Sequence, residues 1–136
     1  VLIPTGNPKI EIGEGNIFDI EGYNPDGIVV LRQENQQEFA DACKKYQGDV
    51  PLVQHVFSKD NYSEEYLHEV IFRCLKKMRD KKCKQIGFHC SAPIKGSTTQ
   101  GAAATYEILK LWAKRYEKKF NEIIIVDTYG DYCKVN

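Results

Sequence analysis

The sequence predicts an α/β fold, a three-layer α/β/α sandwich around a mixed, mostly parallel sheet. Three observations predict it. Short apolar runs (GIVVL, PLVQHVF, KQIGF and EIIIV) recur along the chain, and segments with helical apolar spacing separate them. The runs are rich in β-branched residues and largely unbroken by polar ones, as expected of strands covered on both faces. Strands alternating with helices in this way build parallel sheets.

Taken in order, KIEI at residues 9–12 alternates polar and apolar residues and reads as a short strand, followed by a GEGN turn. Asn24, Pro25, Asp26 and Gly27 form a turn, because Pro fixes φ and Gly permits positive φ. The strand GIVVL follows. Phe39, Ala42, Cys43 and Tyr46 then fall at helical spacing on one face, and that helix ends near Gly48. PLVQHVF is the next strand. Ser63 opens a second helix whose apolar stripe is Leu67, Val70, Ile71, Cys74, Leu75 and Met78. A capping box, Ser97-Thr98-Thr99-Gln100, precedes a third helix carrying Leu109, Trp112, Ala113, Tyr116 and Phe120 on one stripe, widened by Ile108 and Leu111. IIIV is a central buried strand. The expected sheet has about six strands.

With 136 residues the chain has the length of one domain, 1–136, large enough to bury a core without disulfides or metal. It does not begin with Met and is read as a domain of a larger protein. Nineteen basic and nineteen acidic residues leave no net charge, so only local patches can attract a polyanion. No apolar run approaches a membrane span. Five cysteines without CxxC spacing, and three histidines without close ligand pairs, predict no zinc site and a reducing, intracellular (cytoplasmic or nuclear) setting.

The most informative stretch is 84–127, which reads strand, small polar loop, helix, strand. Such a βαβ unit places its loop where parallel sheets bind ligands. Residues 91–106 contain no Asp or Glu, and Lys95 lies among them. Backbone N–H groups of Gly96, Ser97 and Thr98, with Lys95 and the positive end of the helix, suit a phosphate. The same residues also make an ordinary helix cap.

Several short segments, in order, resemble a macro domain, the α/β/α module known for binding ADP-ribose. Gly15-Asn16-Ile17 stands where such domains carry Gly-Asp-Ile. Asp26-Gly27-Ile28-Val29 resembles their Asp-Ala-Ile-Val strand, and His55-Val56 is similar to an Ile-His-x-Val strand. Ile86-Gly87-Phe88 with its following loop looks like their strand and phosphate loop, and Asp131-Tyr132 matches a common pair after the last strand. The resemblance implies a base and ribose contact at Asn16, Ile17, Arg32, Gln33 and Tyr129, and phosphates on 95–100.

The departures matter as much. Val30-Leu31-Arg32-Gln33 replaces the family's Asn-Ala-Ala-Asn, so the ribose-holding Asn is Gln33. The glycine triplet after it is missing, and Asn16 replaces the Asp that accepts from the adenine amine. Ala92-Pro93-Ile94 replaces Ser-Thr-Gly. The family's terminal aromatic falls on Asp127, with Tyr129 two residues on. A non-catalytic module with weakened or lost nucleotide affinity, or a protein-interaction domain, is the implied role; ADP-ribosyl hydrolysis ranks last. No catalytic residue and no cofactor is assigned.

Arg32 suits a phosphate or a surface acid such as Glu34 equally. His89 and Cys90 are adjacent strand residues that point to opposite faces and cannot readily share a proton. His55 reads as a hydrogen-bonded core residue. The alternative partner is RNA. Six of the nine residues at 76–84 are basic (Lys76, Lys77, Arg79, Lys81, Lys82 and Lys84), and Lys114, Arg115, Lys118 and Lys119 form a second cluster. Cations at a helix end also simply complement its dipole.

Overall fold

A computed structural model describes residues 23–47, 49–58, 63–90, 101–116, 119–127 and 132–135. In chain order these form β1 (Gly27–Gln33), α1 (Gln37–Gln47), β2 (Leu52–Phe57), α2 (Glu64–Asp80), β3 (Gln85–Cys90), α3 (Gly101–Tyr116), β4 (Glu122–Asp127) and β5 (Tyr132–Lys134). The predicted strand at 9–12, the turn after it and the capping box at 97–100 lie outside the described residues.

One five-stranded sheet has the order β2-β1-β3-β4-β5. The first four strands are parallel, and β5 runs antiparallel to β4. Ile28 lies level with Leu52 on one side and Gly87 on the other, so side chains of like parity share a face across the sheet. Ile28 and Val30 pack with Phe39 and Cys43 of α1. Val29 and Leu31 pack instead with Leu67, Ile71 and Leu75 of α2 and Ile108 and Leu109 of α3. Helices therefore cover both faces, and the three-layer α/β/α sandwich is the observed architecture. The placement follows from handedness: α1 leads from β1 to one flank, α2 and α3 lead toward the other, and right-handed crossovers then fall on opposite faces.

The second helix forms as its spacing requires. Ser63 is extended (φ −125°, ψ 158°) and its Oγ accepts from the Tyr66 N–H, while all six stripe residues are buried. At the other end, Cys83 N–H donates to the Met78 carbonyl and Lys82 N–H to that of Arg79. This is a Schellman closure, and Lys82 occupies its left-handed position at φ 61°. β1 and β3 are latched at their starts by Asp26, whose carboxylate accepts from the N–H groups of Lys84 and Gln85.

Two expectations are corrected. PLVQHVF is not covered on both faces: β2 is an edge strand, half-buried over most of its length, with Val56 38% exposed. Leu111 does not widen the α3 stripe but is 66% exposed, because it sits about 200° around the helix from Leu109. Buried Thr105, Ile108 and Leu109 hold that stripe with half-buried Trp112; Phe120, past the helix end, is buried too.

Candidate functional site

In an open parallel sheet, ligands bind beyond the carboxyl ends of the strands where the chain reverses its direction of winding. Here that point lies between β1 and β3, because α1 leaves toward β2 and α3 toward β4. Arg32 and Gln33 at the end of β1, with residues 34–36 beyond them, stand at this point and mark the candidate crevice.

Arg32 is only 8% exposed. Its Nε donates to Gln54 Oε1 at 2.6 Å, Nη1 to the carbonyls of Gln33 (3.0 Å) and Glu34 (3.3 Å), and Nη2 to Gln37 Oε1 (3.0 Å). All four acceptors are neutral oxygens; the predicted pairing with Glu34 is made to its backbone, not its carboxylate. Of five guanidinium N–H groups, one on Nη2 has no acceptor among the described residues. The charge is thus buried without a counter-ion among the described residues, an arrangement that an approaching anion would stabilise. Gln37 in turn donates to Asp41 Oδ1 at 2.9 Å. Gln36 Oε1, beside it, is buried with no hydrogen-bond partner. The crevice rim therefore holds one open donor and one open acceptor. Gln33 has the parity of the opposite face, so it and Arg32 approach a ligand from different sides.

Beneath the crevice lies a buried polar chain. Tyr23 hydroxyl meets His89 Nε2 at 2.7 Å, and His89 Nδ1 meets Cys43 Sγ at 3.4 Å. Burial alone pushes the His89 pKa down to about 3 and the Cys43 thiol up to about 12. Both groups are neutral, so this is no thiolate–imidazolium nucleophile. His89 faces α1 and Cys90 packs with the α2–α3 core, as their alternation requires. Gly87 makes room for the chain, since a Cβ there would overlap the Tyr23 hydroxyl. His55 is half-buried and bonds Tyr66 hydroxyl at 2.9 Å, and burial, helped by Arg73 and Lys77, lowers its pKa. It sits on the edge strand level with Leu31, and by parity on the face opposite Arg32.

Helix starts around the carboxyl edge differ in charge. The first turns of α1 and α2 carry Glu38 and Glu64–Glu65, whereas that of α3 carries no acid. Lys95, Gly96, Ser97, Thr98, Asn16, Ile17 and Tyr129 lie outside the described residues. Of the predicted site, the structure thus places Arg32 and Gln33. It adds Gln37, Gln54 and Gln36, which spacing alone did not single out.

The basic segment occupies the opposite, amino edge. Lys76, Lys77, Lys81, Lys82 and Lys84 are exposed, Arg79 pairs with Asp80 at 3.3 Å, and Lys84 Nζ donates to the Lys119 carbonyl at 3.1 Å. The described residues hold no cluster of His, Cys, Asp and Glu that would bind a metal, and no described helix is long and apolar enough to cross a membrane. The described cysteines Cys43, Cys74, Cys83 and Cys90 are free and buried. No protein-family model, curated protein or solved structure matches the chain.

Proposed function

We propose that this protein is a non-catalytic, macro-like binding module that takes ADP-ribose or a related nucleotide in the crevice between β1 and β3. The observation that carries the reading is the coincidence, at the switch point, of a buried guanidinium with no counter-ion among the described residues and the one described helix start free of acid. Arg32 supplies charge from the end of β1, and the dipole of α3 supplies it from the start of that helix. Catalysis is not part of the reading. His89 is fully buried and committed to Tyr23 and Cys43, and His55 is bonded to the Tyr66 hydroxyl, so neither stands ready to activate water.

Calorimetry with ADP-ribose at low salt tests this. The parent chain should bind, Gly96→Glu should abolish binding by bulk and charge, and Lys77→Glu should leave it intact. Binding unchanged by Gly96→Glu, or none at millimolar ligand, counts against the reading.

A second reading, RNA binding through Lys76, Lys77, Arg79, Lys81, Lys82 and Lys84, is favoured by one observation. Every described helix ends in basic residues, Lys44–Lys45, Lys77 with Arg79, and Lys114–Arg115, so a chain of zero net charge gathers cations at its amino edge. Gel shifts repeated across salt test it; retention independent of salt rules out this phosphate-contact mode.

A further inference from the structure

The α2–α3 seam combines two features that the charge of 76–84 alone does not explain. Half-buried Trp112 of α3 packs against Phe72 of α2, ring centroids 4.9 Å apart, and the Arg115 guanidinium lies over the Trp112 ring at 5.1 Å. Leu111, beside them, is 66% exposed. Both helices run antiparallel to the parallel strands, so their C-terminal halves share the amino edge, where the Lys84–Lys119 bond ties them together. Lys76 lies one turn beyond Phe72 on the same helix face. Lys76, Arg115 and Lys119 are exposed and make no ion pair with a described residue. Among the described residues, acids along these helices are otherwise engaged: Glu69 with Arg73, Asp80 with Arg79, and Glu107 with Lys110.

A planar cation layered on an indole, flanked by unpaired ammonium groups, matches what an unpaired nucleic-acid strand requires. Its bases stack on guanidinium or aromatic planes while lysines take its phosphates. A duplex hides its base faces and gains from the lysines alone.

We propose that this seam is a stacking platform for single-stranded polynucleotide, with a base layered on Arg115 over Trp112 and phosphates on Lys76 and Lys119. The proposal rests on the second reading above and adds strandedness and the base contact to it. Trp112 is the chain's only tryptophan, so its emission reports on this spot and no other.

The test titrates the protein, at low salt, with oligouridylate, oligothymidylate and a duplex, each about twelve nucleotides long. Affinity is followed by anisotropy, and Trp112 by its emission. The expected result is preferential binding of single strands with quenched emission, RNA and DNA differing only in degree. Arg115→Lys, which keeps the charge but loses the plane, should weaken single-strand binding roughly fivefold or more and leave duplex binding unchanged. Lys76→Glu should weaken both. Equal affinity for duplex, with unchanged emission and a silent Arg115→Lys, overturns the platform while the RNA reading stands. No binding of any probe overturns both.

Discussion

A Cβ on Gly87 would overlap the Tyr23 hydroxyl and come within 3.2 Å of His89 Nε2. Gly87→Ala should therefore expel Tyr23 and orphan the imidazole, costing roughly 1–3 kcal/mol. Urea denaturation measures this, and adding Tyr23→Phe should recover part of the loss, because the two changes share one contact. His89 also sets a pH dependence. The unfolded chain protonates it near pH 6.5, whereas the native state holds it neutral to about pH 3. Between those values the unfolded state binds the extra proton, so stability is full above pH 6.5 and falls as pH drops. The slope approaches roughly 1.4 kcal/mol per pH unit. His55, with its lowered pKa, acts in the same direction. Unfolding measured between pH 6.5 and 5 should show the slope, and His89→Gln should flatten it whatever its effect on total stability. An unchanged slope would mean that His89 is not neutral in the folded protein.

At the scale of elements, the end of α2 is a place where the sequence is not optimal. Lys82 holds φ 61°, a conformation that strains any residue with a Cβ. Lys82→Gly should stabilise the protein by about 1 kcal/mol in thermal or chemical unfolding, despite the entropy glycine adds to the unfolded chain. Asp26→Ala should act oppositely, releasing the N–H groups of Lys84 and Gln85 at a cost of roughly 1–2 kcal/mol, comparable with loss of a helix cap. These elements also show what the sequence could reveal. The second helix was legible from cap to last buried residue, because its signals lie within a few residues of one another. Leu111 was misplaced because apolar character was counted without its angle around the helix. The edge position of β2 was hidden, since LVQHVF is apolar enough for an interior strand and strand order is decided by tertiary pairing. The site divides in the same way. Arg32 was readable as the end of a strand, but its partner Gln54 is 22 residues away and the Tyr23–His89 contact spans 66. Only the folded register brings such pairs together.

The whole molecule carries zero net charge but an uneven distribution of it. Two of the three described helix starts are acidic, and all three of their ends are basic. On the proposed reading, the carboxyl edge would hold a nucleotide locally while the amino edge presents cations to a longer polyanion. Neither edge provides a described acid–base pair, so incubation with mono-ADP-ribosylated protein should release no ADP-ribose above buffer. Release that is lost on Gln33 or Arg32 substitution would contradict this. The claim at the centre of the account is where the nucleotide sits, and amide chemical-shift mapping with ADP-ribose tests it most directly. The account predicts that shifts concentrate at 32–37 and 89–101 while Lys76, Lys77 and Lys81 stay still. Shifts confined to the amino edge, or none at millimolar ligand, would contradict it.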